Sequence, residues 1–401
     1  MKRCYWVLIL FLLNVSLSAS TAPTCDVTKT IPLSPQAQIS LLTCSPSDDM
    51  VFTLYGHTAI RIFDPVHKID QIYNYGQFDF SKPNFIYRFA KGETDYMLGA
   101  TYFSYFLFEY ESRGSEVCEQ VLNLLPEEKE SLWQALEWNR QPENRMYRYN
   151  FFFDNCATRP AVMIENHIQG IINYAPVSGL PTFRDVINYC TRNHPWQTFG
   201  CDLVVGMPSD RVMTQRETFF IPEYLKNAFD KAEILREGQS EPLVKQTNIL
   251  SEKDPPSTPL LITSPLLCFS LLFVIILALT INEWRRKKYY RIVDVLLFFI
   301  AGLAGCILFF LSFLSVHPSM FPNISLLWLH PLHLMGIVFF SVKKWKLLAF
   351  WYHLINFAVV ISMCVGWFFI TQHFNIAFIP LIACLLLRSG GALIRKKRLQ
   401  G

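Results

Sequence analysis

"NFFFDNCATRP", residues 150–160, runs three phenylalanines into Asp154 and Asn155, then Cys156, then a segment with helical character. Asp154 or Asn155 can cap that helix, and Pro160 falls in its first turn, where a backbone N–H has no helical partner. Cys156 therefore stands at or beside a helix N-terminus, directly after a strand. The positive end of the helix dipole there favours thiolate over thiol. The N–H groups of that turn can also receive a developing oxyanion.

The same cysteine has a second reading. The region it lies in looks exported, and exported cysteines are mostly paired. Cys25, Cys44, Cys118, Cys156, Cys190 and Cys201 are even in number. Cys25 with Cys44 and Cys190 with Cys201 make local pairs, which leaves Cys118 for Cys156.

A thiol nucleophile needs a base, usually His. The exported region offers His57, His67, His167 and His194. His57 lies mid-strand in "LYGHTAIRI" (54–62), after a glycine that permits close approach. His67 follows Asp64-Pro65 in a turn, and His194 precedes Pro195 in a loop. His167 lies about three helical turns beyond Cys156, out of reach. His57 is the best partner on physical grounds.

The export reading rests on the first 20 residues. Lys2 and Arg3 precede an apolar run, Tyr5–Leu13, and small residues at 16–20 offer a cleavage site. The chain has 401 residues, 51% hydrophobic and 15% aromatic, with 34 phenylalanines. That excess is concentrated toward the C-terminus. The net charge of +4 is too weak to argue for nucleic acid.

Residues 21–250 read as a mixed α+β domain. "VFTLYGHTAIRIFD" (51–64) and "DQIYNYGQFDF" (70–80) read as strands, the second with a turn at Gly76. "PEEKESLWQALEWN" (126–139) reads as an amphipathic helix with Leu132 and Leu136 on one face. "RMYRYNFFF" (145–153) reads as a strand. A polar, Pro-rich linker occupies 251–259. Residues 260–398 then read as an all-α polytopic membrane domain of about five helices, near 260–281, 292–316, 326–342, 347–371 and 376–394. "RRKK" (285–288), "KKWK" (343–346) and "RKKR" (395–398) follow the first, third and fifth spans. The positive-inside rule puts all three in the cytoplasm, with the C-terminus, and the globular domain outside.

The pieces "LYGHTAIRI", "NYGQFDF" (74–80) and "NFFFDNCATRP", in this order, resemble the exported N-terminal domain of the Lnb family of bacterial lipoprotein N-acyltransferases. "PNISLLWLHPLHL" (322–334) resembles that family's transmembrane signature. The exported domain also resembles a circularly permuted NlpC/P60-type papain-like fold, in which His precedes Cys, and its Asn-Cys pair resembles the lecithin–retinol acyltransferase group. The resemblance implies a multi-pass protein of the bacterial inner membrane with a periplasmic catalytic domain. Cys156 would be the nucleophile and His57 its base. Cys156 would take an acyl chain from a membrane phospholipid as a thioester. The α-amine of a diacylglyceryl-cysteine lipoprotein would then receive it.

Related folds use a third polar residue to orient the imidazole. Asp79 and Asn74 compete for that role, with Asp70 a weaker third. Tyr55 can offer an O–H to the oxyanion. Arg61 and Arg159 can meet a phosphate headgroup or pair with carboxylates. Asn323, Trp328, His330 and His333 form a polar group at the outer end of the third span, where such residues tend to mark substrate paths. They are expected to hold a headgroup or acyl donor beneath Cys156. Arg388 is expected to snorkel toward the cytoplasm.

Rival readings keep the same Cys–His pair: a membrane-bound NlpC/P60-type peptidoglycan hydrolase, or a phospholipase or thioesterase in which water replaces the amine. A non-enzymatic binding module would hold Cys156 in a disulfide. No G-x-S-x-G, H-E-x-x-H or phosphate-binding glycine loop occurs. The exported histidines lack metal spacing, and no cofactor is implied.

Overall fold

The computed structural model describes residues 31–78, 83–254 and 264–400. The signal-peptide stretch, Cys25, Asp79 and linker positions 255–259 lie outside the described residues. Ten strands are described: β1 (Gln38–Cys44), β2 (His57–Asp64), β3 (Ile69–Gln77), β4 (Asp95–Tyr102), β5 (Val117–Leu122), β6 (Met146–Arg148), β7 (Ile171–Asn173), β8 (Glu233–Arg236), β9 (Gln239–Pro242) and β10 (Val244–Ser251). Seven form an antiparallel sheet in the order β10-β5-β1-β2-β3-β4-β6, and β7-β8-β9 form a small second sheet. The helices of this part are α1 (Phe85–Lys91), α2 (Phe103–Ser112), α3 (Pro126–Asn139), α4 (Thr158–Glu165), α5 (Phe183–Thr191), α6 (Pro195–Val204) and α7 (Pro222–Asp230).

Period-two alternation sends β-strand side chains to two faces, and both faces are covered. Ile60, Ile62 and Tyr73 join Leu132, Trp133 and Leu136 of α3 and Ala161 and Ile164 of α4 in one core. Each fully buried Leu there contributes about 1.5–3 kcal/mol. Ala59 and Ile72 point the other way, into a second cluster with Phe106 and Tyr110 of α2. His57 and Asn74 share the parity of that second face.

Two strand expectations shorten. Val51–Tyr55 is a 3-10 helix, and β2 begins only at His57, because Gly56 turns the chain with φ +77°. A Cβ on Gly56 would stand 2.7 Å from the Cys44 carbonyl oxygen, so only glycine fits there. The expected strand over 145–153 is limited to β6. Phe151–Phe153 instead form a turn closed by the Asn150–Asp154 bridge. Gly76 is part of a register shift between β3 and β4 rather than a turn between strands. The helix expected over 126–139 is α3, residue for residue.

The C-terminal part is helical: α8 (Pro265–Arg286), α9 (Arg291–Phe313), α10 (Leu332–Ser341), α11 (Lys346–Gly366) and α12 (Phe378–Gln400). Among the described residues, four segments are long and apolar enough to cross a membrane: Pro265–Arg286, Arg291–Phe313, Ile324–Ser341 and Lys346–Phe369. The fifth, Phe378–Ile394, is a shorter apolar helix. Gly302 and Gly305 let α9 cross close to α10: a Cβ on Gly305 would meet the His330 backbone at 2.5 Å. Arg388 does not snorkel. It is fully buried between Glu283 (2.9 and 3.0 Å), Thr280 (2.8 Å) and Asp294, because two carboxylates in the bundle need its charge.

The globular part sits on the helix ends opposite the basic runs 285–288 and 343–346. The amides of Gly206 and Met207 donate to the carbonyls of Ser319 and Pro322 at 2.7 and 2.8 Å. Asn375 donates to Asp202 at 2.8 Å, and Phe199 of α6 packs between Phe269 and Phe378. On the other flank, Val316 donates to the Lys91 carbonyl at 2.9 Å.

Candidate active site

Asn155 sets the position of Cys156. Its Oδ1 accepts from the amides of Ala157 (2.9 Å) and Thr158 (3.0 Å), which makes it the side-chain cap of α4. Its Nδ2 donates to the carbonyls of Phe151 (3.0 Å) and Phe220 (2.7 Å). Asp154 is not the cap; it binds the Arg159 guanidinium at 2.6 and 2.8 Å. Ala157, Ala161 and Ile164 bury one face of α4 against the sheet, so the helix mouth is pinned beside the start of β2.

There Cys156 comes near His57. A single methyl-sized point above Gly76 would lie 3.3 Å from Cys156 Cβ and 3.9 Å from His57 Cε1. Gly76, at φ +96°, leaves the room for this approach. The Thr58 amide, next in the chain after His57, donates to the Cys156 sulfur, as does Cys156's own amide. Both side chains are half-buried, open to solvent over a small area and enclosed elsewhere.

Among the expected orienting residues, Asn74 is at the histidine. Its Oδ1 stands 2.6 Å from His57 Nε2. With the amide oxygen as acceptor, Nε2 carries the proton and Nδ1 is left as the basic nitrogen. Tyr110 of α2 stacks on the imidazole, with centroids 5.9 Å apart and planes 11° from parallel. Asp70 is engaged elsewhere, with Arg61 at 2.8 Å.

The electrostatics differ from the thiolate expectation. Burial pushes the Cys156 thiol up to about 11, and the two amide hydrogen bonds only partly oppose it. Burial likewise pulls the His57 imidazole down to about 4; Asn74 opposes this and Arg113 adds to it. At neutral pH the resting pair is thus thiol and neutral imidazole. The dipole of the eight-residue α4 is too small to outweigh burial. Of the amides expected to receive an oxyanion, those of Ala157 and Thr158 are consumed by Asn155. Cys156's own amide remains at the thiol.

Other expected residues are committed elsewhere. The Tyr55 hydroxyl lies 3.8 Å from Cys201 Sγ, and its ring packs edge-on against Phe151 at 4.9 Å. Arg61 is held by Asp70 and Glu119 and covers the Phe103 ring at 3.5 Å. Arg159, paired with Asp154, lies 3.7 Å over Tyr147. Both arginines pair with carboxylates instead of presenting bare cations. Asn323 joins the two domains: its Nδ2 donates to the Leu203 and Val204 carbonyls at 2.9 and 3.2 Å, and its Oδ1 accepts from Ser325. Trp328 and His333 are buried within the helical bundle rather than laid out at its surface. His333 bonds the Trp328 carbonyl at 3.0 Å and the Tyr352 hydroxyl, and His330 stacks on it at 3.9 Å.

Among the described residues, Cys118, Cys156, Cys190 and Cys201 are free thiols, so the Cys118–Cys156 and Cys190–Cys201 pairings fail; the Cys25–Cys44 pairing involves a residue outside the described ones. Cys44 is buried on β1 directly opposite His57, a neighbour that strand pairing alone creates. Sequence reasoning missed Thr58, whose contribution is a backbone amide, and Tyr110, which a long chain separation brings onto His57.

Residues 26–189 match the model of the Lnb N-terminal periplasmic domain, and residues 257–399 match that of the Lnb transmembrane domain. No curated protein and no solved structure matches the chain.

Proposed function

The chain belongs to the Lnb family, and we propose that it is a lipoprotein N-acyltransferase with Cys156 as nucleophile. The observation that carries the reading is the Cys156–His57–Asn74 cluster, in a domain seated directly on the ends of membrane helices. A domain so seated is placed to take lipid esters from the bilayer surface.

In the first half-reaction His57 Nδ1 takes the Cys156 proton as sulfur attacks the ester carbonyl of a phospholipid. The C–S bond forms and the C–O bond breaks. The leaving lysophospholipid oxygen takes the proton back from the imidazolium. In the second, the α-amine of a diacylglyceryl-cysteine lipoprotein attacks the thioester. A C–N bond forms, the C–S bond breaks, and the amine's proton passes through His57 to the sulfur. Asn74 holds the ring so that Nδ1 faces sulfur throughout. The resting imidazole is unprotonated and so can accept the thiol proton, and the transfer must be driven by sulfur's attack on the carbonyl, because His57 at about 4 is a weaker base than the thiolate at about 11. Partial enclosure restricts water, which would otherwise hydrolyse the thioester.

The proposed setting is the bacterial inner membrane, with the basic runs and the C-terminus cytoplasmic and the catalytic domain periplasmic. Mass spectrometry of N-terminal lipopeptides from cells carrying Cys156→Ala tests the reading. Loss of the amide-linked acyl chain with the diacylglyceryl group retained is expected. An unchanged triacyl pattern, in cells with no second enzyme of this activity, would refute it and favour the hydrolase alternatives.

A further inference from the structure

α1 has the sequence FIYRFAK, yet none of its residues is buried. Ile86 is 73% exposed. Its two cations are neutralised, Arg88 by Asp95 at 2.9 Å and Lys91 by Glu93 at 2.7 Å. What α1 presents is therefore apolar, and a water-facing helix gains nothing from that.

Two contacts fix where this surface lies. The Tyr87 ring packs on Phe310 at 5.9 Å, in the last turn of the membrane helix α9. The Phe89 ring meets His317 at 6.0 Å, just beyond that helix, and His317 Nε2 bonds the Phe89 carbonyl. α1 thus lies level with the end of a membrane span, where Phe313, Leu314 and Val316 are also exposed. From α1 the rings continue inward. Phe89 stacks on Phe85 (6.2 Å, 18°), Phe85 on Phe78 (5.8 Å, 21°), Phe78 leans on Tyr96 (5.0 Å), and Tyr96 stacks on Tyr149 (4.1 Å). Tyr96 and Tyr149 lie near Cys156, so a thiolate there would raise their hydroxyls further. Phe78 is two residues beyond Gly76, where an added Cβ would lie 3.3 Å from Cys156 Cβ.

We propose that this aromatic ladder, from α1 through Phe78 to Tyr149, is the path along which one acyl chain of a bilayer phospholipid reaches Cys156, and that Phe78 and Phe85 set its length preference. The occupant follows from continuity: one end opens at the level of a membrane helix terminus, the other at the nucleophile, and the rings between carry no charge. The inference rests on the acyl-transfer reading above.

The test uses full-length protein in phosphatidylethanolamine vesicles whose acyl chains are graded in length. The chain captured on Cys156 is identified by mass spectrometry. Phe78→Ala and Ile86→Ser are each expected to change the long-to-short ratio about tenfold, the scale set by a mismatched methylene or two in an apolar site. Alkylation of Cys156 by iodoacetamide should stay at the wild-type rate. Ile86→Ser removes nothing from a core, so misfolding cannot mask its result. Phe108→Ala, exposed on α2 and off the ladder, is the control. An unaltered length distribution in both variants, or an equal loss for all lengths, would overturn the path. Wild-type protein that captures no acyl chain at all would overturn the acyltransferase reading itself, and the path with it.

Discussion

Asn74 Oδ1 lies 2.6 Å from His57 Nε2, across the β2–β3 pair and on the face of the sheet that α2 covers. This contact fixes the imidazole tautomer and leaves Nδ1 as the basic nitrogen, the one proposed to act on Cys156. Asn74→Ala should lower kcat on the order of 10²-fold with KM little changed. Asn74→Asp keeps an acceptor and adds a negative charge that favours the protonated ring. Its acid limb in a pH–rate profile should therefore move upward from the wild type's. A profile that is identical in all three proteins would show that Asn74 does not position His57.

The resting charge state predicts how Cys156 titrates. With the thiol pushed up to about 11 and the imidazole pulled down to about 4, alkylation of Cys156 should climb steadily from neutral to alkaline pH. A thiolate–imidazolium pair would instead give a plateau beginning well below pH 7. Iodoacetamide rates, corrected with Cys156→Ala, separate the two.

The same shifts affect stability. His57 binds a proton less readily folded than unfolded, so between about pH 6.5 and 4 the unfolded chain holds more protons. Its contribution to stability is complete above that window and is lost as pH falls through it. For Cys156 the sign is reversed: the folded chain keeps the proton longer, so stability falls as pH rises from about 9 toward 11. Chemical denaturation of His57→Gln and Cys156→Ser across these ranges should flatten the corresponding slopes.

Asn323 connects two domains through two peptide carbonyls. Asn323→Ala should leave Cys156 alkylation intact but reduce transfer from bilayer lipid about tenfold, the equivalent of one to two net hydrogen bonds. Proteolysis near 203–207 should speed up in parallel. If lipid transfer and proteolysis are both unaffected, the clip is not what couples the domains.

Arg388 answers two buried carboxylates, Glu283 and Asp294. Arg388→Met should destabilise the bundle by on the order of 3–5 kcal/mol, because it strands those charges. Adding Glu283→Gln and Asp294→Asn should recover most of the loss, as thermal unfolding in detergent would register. Failure of that rescue would mean that Arg388 acts through packing alone.

Much of the site was legible in the chain. Cys156 stands out because Asn155 and a helix start stand beside it, and both are local signals; the turn before it was read as a strand. His57 is legible through Gly56 and the strand that follows. The helix over 126–139 reads directly, since Pro126, two early glutamates and a spaced Leu132/Leu136 face are local as well. The choice among Asn74, Asp79 and Asp70 was not legible: Asn74 and Asp70 share one face of β3, so only their cross-strand neighbours separate them. Asn323, Arg61 and Arg388 read as binding or snorkelling residues because a sequence shows a polar group but not its partner.

By itself the sequence determined the two-part layout, the apolar segments and their basic ends, and singled out Cys156 and His57 as the pair proposed to react. Periodicity, apolar run length and capping are short-range, and a single chain displays them in full. Only the tertiary structure decided that burial raises the Cys156 thiol, that the Thr58 amide bonds its sulfur, and that α1 reaches the end of α9. Those outcomes depend on desolvation and on contacts between residues up to hundreds of positions apart, as with Phe89 and His317. Burial and long-range pairing exist only once the chain has closed on itself.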